Sequence, residues 1–262
     1  MNILYIYTDY FKNYDLPIAL KSMGHKVDII EDNFSTIMDN ESLNLQLEDK
    51  LRKTDYFCVM SYGFCPDVSS VCEKMKILYV AWTYDSLCMA LYHGNITNSY
   101  SHIFIFDYSE WKRLKDKYPN ANIYHLPLGV NSLRIDQLEI QPSDREKYGC
   151  PIAFVGTMYN HNEFDEIISC FQPSDRGYFE DVFGYFRGKW NSESIYDWFS
   201  TDEMVYFNQK LPEYAKNDRD IDDRLYYAFT ILNRKLGQID RIDVLNKLSD
   251  LGEVHLFTPE ED

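Results

Sequence analysis

"DYFCVMSYGFCPDVSSVCEKMKILYVAWTYD", residues 55–85, is the stretch on which the fold turns. An apolar run closes at Tyr62, and a helix opens on Pro66 and Asp67, where a missing N–H and an acidic side chain are both favourable. A second apolar run follows, residues 77–85. Two buried strands joined by a single helix form a parallel crossover unit.

The same rhythm extends in both directions. Upstream lie the strand "NILYIY" (2–7), the helix "DLPIALKSMGH" (15–25), the strand "KVDIIED" (26–32) and the amphipathic helix "NESLNLQLEDKLRK" (40–53). In the first helix Ile18, Ala19 and Met23 share a helical spacing, and Gly24 is placed to end it. Downstream come the strand "HIFIFD" (102–107), the helix "YSEWKRLKDKY" (108–118) and a sixth strand, "NIYHLPLGV" (122–130). Strands that read as continuous apolar runs are covered on both faces, so residues 1–131 are expected to form an α/β, Rossmann-like domain with a parallel sheet.

Residues 132–150 are polar, contain Pro142 and lack an apolar stripe, which reads as a linker. "PIAFVGT" (151–157) is again a buried strand, ending near a glycine. Helical patterns fill 160–237, with Ile221, Leu225, Phe229, Leu232 and Leu236 on one face. A cleaner helix is expected over 240–252, capped by Asp240, facing inward through Ile242, Leu245, Leu248 and Leu251, and stopped by Gly252. "EVHLFT" (253–258) is a last strand. Two parallel strands are too few for an independent doubly wound sheet. Residues 151–262 are therefore expected to be the helix-rich beginning of a second Rossmann-like domain, incomplete in this chain.

Composition narrows the function. The formal net charge is −16, from 42 acidic and 26 basic residues, and the chain shows no large Lys/Arg cluster. Such a surface repels phosphate backbones, which argues against nucleic-acid binding. The opening "MNILYIYTDYF" has no basic leader region, and no apolar run nears the roughly 20 residues of a membrane helix. Six scattered cysteines without a C-x-x-C pair fit reduced, mostly buried thiols of a cytoplasmic protein better than zinc.

In an open parallel sheet, ligands sit beyond the carboxyl ends of the strands. That rim carries "YTDYF" (7–11), "SYGF" (61–64), "TYDS" (83–86) and "FDYS" (106–109). Asp85 could orient or deprotonate a hydroxyl, and a neighbouring aromatic could stack on a sugar face. The plainer alternative is that Asp85 or Ser86 caps the next element. Gly156, after a buried strand, would let backbone approach a phosphate, or serve only a tight turn. No G-x-G-x-x-G, G-x-S-x-G or H-E-x-x-H motif occurs, and His125 and His161 are isolated.

Taken together, "FIFDYSEWKRLKDKYPNANIYHLPLGVN" and "IAFVGTMYNHNEFDEII" resemble GT-B glycosyltransferases of the group 1 type. "VAWTYDS", "YHLPLGVN", "IAFVGTMYN" and "RIDVLNKLSDLGEVHLFT" are similar to the bacterial spore-maturation CgeB-like subgroup, which carries an N-terminal domain of unknown function. The resemblance implies two Rossmann-like domains facing across a cleft, an acceptor on the first and a UDP- or GDP-linked sugar donor on the second, without a bound metal. Carried to this chain, it implies Asp85 and Asp9 as catalytic residues. Trp82, Thr83, Tyr84, Ser86 and Tyr62 would line the acceptor side, and Gly156, Thr157, Tyr159 and Asn160 the donor side. Thr157 stands where many members have arginine, and Leu87 where the subgroup has proline. A non-catalytic glycan- or protein-binding module derived from such an enzyme is the competing expectation. A receiver-like signalling domain ranks lower, because the first strand lacks the acidic pair such a domain needs.

Overall fold

The computed structural model describes residues 1–8, 14–32, 40–189, 195–216 and 222–259, and divides the chain into two compact units, 1–138 and 139–262. The first contains β1 (Asn2–Thr8), α1 (Asp15–Ser22), β2 (Lys26–Asp32), α2 (Glu41–Lys53), β3 (Cys58–Tyr62), α3 (Pro66–Met75) and β4 (Leu78–Thr83). After two 3-10 turns, Met89–Tyr92 and Gly94–Thr97, come β5 (Ser101–Ile105), α4 (Tyr108–Lys117), β6 (Ile123–His125) and α5 (Ser132–Asp136).

The six strands pair in parallel in the order β2-β1-β3-β4-β5-β6. This is an α/β, Rossmann-like sheet whose winding direction reverses between β1 and β3. Right-handed crossovers therefore place α2, α3 and α4 on one face and α1 on the other. The packing agrees. Leu4, Val59, Ala81 and Ile103 are fully buried beneath Leu43 and Leu47 of α2, Val68 and Cys72 of α3 and Leu114 of α4. β4 alternates accordingly, with Tyr79, Ala81 and Thr83 buried and Leu78, Val80 and Trp82 only half-buried.

Tyr79 ties this core to the loop after β3. Its phenol is fully buried, accepts the Cys65 N–H at 2.9 Å and lies 2.7 Å from the Ser61 hydroxyl. Ser61 donates its own proton to the Gly63 carbonyl, so Tyr79 must donate to Ser61. Replacing Tyr79 with Phe strands a buried N–H at the start of α3 and an acceptor on Ser61. Tyr79→Phe is expected to cost about 2 kcal/mol in urea unfolding.

The expected sixth strand over 122–130 shrinks to Ile123–His125, since Pro127 cannot donate to a ladder and β6 is the sheet's edge. Ile18 and Met23 are exposed, at 49% and 71%.

The second unit contains α6 (Pro142–Tyr148), β7 (Ile152–Val155), α7 (Glu163–Ile167), α8 (Pro173–Phe186), α9 (Ile195–Trp198), α10 (Thr201–Lys210), α11 (Asp223–Tyr227), α12 (Asn233–Ser249) and β8 (Val254–Phe257). The segment 132–150 thus holds two short helices, α5 and α6. β7 and β8 form a separate two-stranded parallel sheet. A helix beginning at Asp240 does not form. α12 runs through Gly237 and Asp240, and a Cβ at 237 would lie only 3.1 Å from the Tyr159 ring, so the glycine makes room for that ring. Ile242 and Leu251, expected inward, are 41% and 80% exposed. Ile221 lies outside the described residues. No helix among the described residues is long and apolar enough to cross a membrane.

Candidate functional site

The reversal of strand order between β1 and β3 marks where a doubly wound sheet offers a crevice at its carboxyl edge. Asp9, expected there as a base, lies outside the described residues. Tyr62 closes β3, and Trp82 closes the outer face of β4. The Tyr62 ring is 5.9 Å from Trp82, stacked, and 5.5 Å from Tyr84, edge-on. Tyr7 and Tyr14 stack at 4.3 Å at the end of β1. Trp82 is pressed close to Gly129, where an added Cβ would sit 3.4 Å from the ring. Its indole Nε1 is buried with no hydrogen-bond partner among the described residues.

Charge is organised beside these rings. Arg134 of α5 grips both oxygens of Asp15 at 2.8 and 2.9 Å, and Asn131 adds a third bond at 3.1 Å. The hydrogen bond from Arg134 holds the Asp15 carboxyl below its usual value. Burial raises the Tyr62 phenol, and the negative charge of Asp15 raises it further.

Asp85 is half-buried just beyond β4, and burial pushes its carboxyl above the ordinary aspartate value. That direction suits a group meant to take a proton near neutrality. Thr83 is 1% exposed and donates its hydroxyl to the Phe104 carbonyl at 3.4 Å, so it lies within the sheet rather than on the rim surface. Ser86 is exposed and donates to Asp107 Oδ2 at 2.9 Å; the Ser86–Leu87 peptide is cis. Thus Tyr62, Trp82, Tyr84 and Asp85 share one edge, while Ser86 is engaged with the cap of α4.

In the second unit Gly156 has φ +152, a conformation that L side chains rarely adopt, and its N–H extends the ladder to Phe257 O at 3.1 Å. Tyr159 also has positive φ, 58, a conformation that for a bulky residue costs roughly 1–2 kcal/mol and marks an imposed loop shape. Asn160 is exposed. The loop is fixed by Asn162, 2% exposed, which caps α7 and donates to Tyr159 O. α7 is only five residues long and carries Glu163, Asp165 and Glu166 in its first turn, so it offers an anion little.

Positive charge comes from elsewhere. Arg241 of α12 donates to the Thr157 carbonyl and, at 3.1 Å, to Thr157 Oγ1. Its guanidinium lies 4.2 Å from the Tyr159 ring centre. Arg241 thus stands beside Thr157 although 84 residues separate them. Arg134, Arg241 and Glu110 are the residues sequence reading missed. Of these only Glu110 left a local trace, in "DYSE" (107–110), and that trace reads as an ordinary capping box. Compared with protein-family models, curated proteins and solved structures, the chain matches none.

Proposed function

We propose that this chain is a sugar transferase of the GT-B kind, moving a glycosyl group from a nucleotide sugar to a hydroxyl acceptor. The observation that carries the reading is the cluster of Tyr62, Trp82 and Tyr84 at the carboxyl edge of a doubly wound sheet, next to its reversal point, with Asp85 following Tyr84 in the chain. Aromatic faces take the apolar face of a pyranose, and a carboxylate of raised proton affinity takes the proton of the attacking hydroxyl. In the second unit Gly156, Thr157, Tyr159, Asn160 and Arg241 would hold the donor. Cytoplasmic residence belongs to the same proposal, since nucleotide sugars are intracellular substrates and all six cysteines are free.

The acidic first turn of α7, and the engagement of Arg241 with Thr157, favour a second reading: a non-catalytic glycan- or protein-binding module. Titration with UDP- and GDP-sugars separates the two. The transferase reading expects saturable donor binding that Gly156→Val weakens by at least about tenfold, because valine resists that backbone conformation. Binding of glycan without binding of any nucleotide sugar would establish the module instead.

A further inference from the structure

Among the described residues the fully buried polar side chains are Ser61, Ser69, Thr83, Ser101, Asn162 and Glu110, and only Glu110 is an acid. It sits in the first turn of α4, 1% exposed. The capping box is half made: Asp107 Oδ1 accepts the Glu110 N–H at 2.9 Å, but the Glu110 side chain turns inward instead of back to the cap. Its Oε1 accepts the Cys88 N–H at 3.0 Å, and its Oε2 is buried with no hydrogen-bond partner. Asp107 meanwhile takes the Ser86 hydroxyl on its second oxygen. The chain from Ser86 to Cys88 is therefore moored to α4 by two carboxyl groups.

The groups facing Glu110 can be named element by element. Asp85 and Cys88 come from the segment after β4, Asp107 from the junction between β5 and α4, and Arg113 from α4 itself. Arg113 also reaches the Tyr92 hydroxyl at 3.2 Å. Two acids thus oppose one arginine. Burial raises the Glu110 carboxyl most, the Cys88 N–H works against the rise, and Asp107 and Asp85 add to it, leaving it pushed up to about 8. Desolvation pushes the Cys88 thiol up to about 12, so it stays neutral while Glu110 titrates.

We propose that Glu110 is a proton-operated latch on the 86–92 segment: neutral, it holds the segment closed against α4; ionised, it admits water and releases it. A buried carboxylate with one partner and an unsatisfied oxygen is far from water and faces two like charges. Local opening relieves both at once, and a short segment with a single 3-10 turn, Met89–Tyr92, opens more readily than the sheet behind it. Asp85 stands at the N-terminal end of this segment, so the latch would set how firmly the rim carboxylate is held, whatever the rim binds.

Hydrogen exchange of the full chain tests this, with labelling times scaled for the intrinsic base-catalysed rate. Protection over 86–92 is expected to fall by about tenfold or more from about pH 6 to about pH 9.5 and to stay below that of β1 and β3, which exchange only through global unfolding. In Glu110→Gln, protection should stay within about twofold over that range. Asp85→Asn leaves Glu110 in place but removes a repelling charge, so the midpoint should move to lower pH. A flat wild type, a response that persists in Glu110→Gln, or an unmoved midpoint in Asp85→Asn overturns the latch.

Discussion

Raising the pH from about 5 to about 8 is expected to remove about 3 kcal/mol of stability from the first unit, and Glu110→Gln is expected to remove most of that dependence. The sign follows from the direction of the shift. The Glu110 carboxyl is raised in the folded state, to about 8, so the folded chain holds a proton that the unfolded chain has released. Its contribution is fully present below the ordinary glutamate range and is lost as the pH climbs through about 8. Asp85, raised by burial, acts in the same direction. Asp15 and Glu48, lowered chiefly by hydrogen bonds from Arg134 and Lys74, work oppositely. Their windows lie below the ordinary carboxylate range, so they do not oppose the loss in this interval. Urea unfolding at fixed pH, read from exchange of the β1 and β3 amides, measures the slope. Opening of the 86–92 segment would cap the loss, so a slope that flattens early and the exchange response of that segment should appear together.

The parallel sheet was legible because its inner strands are apolar on both faces. "NILYIY" and "ILYVAWTYD" overlap the inner strands β1 and β4, and the more polar "KVDIIED" overlaps the edge strand β2. Strand order was not legible, since the reversal between β1 and β3 is written in no local pattern. The rim of Tyr62, Trp82, Tyr84 and Asp85 could be assembled from sequence because parallel strands bring all their carboxyl ends to one edge. What failed depends on distant contacts. Asp240 looked like a helix start, but α12 runs through it, and Gly237 within that helix makes room for the ring of Tyr159, far away in the chain. Glu110 drew no reading from its local sequence, and its buried partner, the Cys88 N–H, lies 22 residues earlier. Arg241 reaches Thr157 across 84 residues, with no spacing that announces it.

If the rim performs transfer, Asp85→Asn should have the largest effect of any single substitution there, lowering kcat by about 10²–10⁴-fold. Asparagine keeps the size and can still accept a hydrogen bond from the acceptor hydroxyl, so acceptor KM should change little. What it loses is the capacity to take the proton as the hydroxyl attacks. The wild-type rate should have an acid limb above the ordinary aspartate range, because burial raises the Asp85 carboxyl and only its ionised form is a base. In Asp85→Asn that limb should vanish along with most of the rate. Trp82→Phe is the contrasting variant: it keeps an aromatic face and discards an indole N–H that has no partner. It should therefore alter acceptor KM while leaving the limb in place. A variant Asp85→Asn that retains the wild-type rate would deny Asp85 the role of base. A chain that binds glycan but turns over no nucleotide sugar would instead assign these rings to recognition, since stacking needs the aromatic faces and not the proton acceptor.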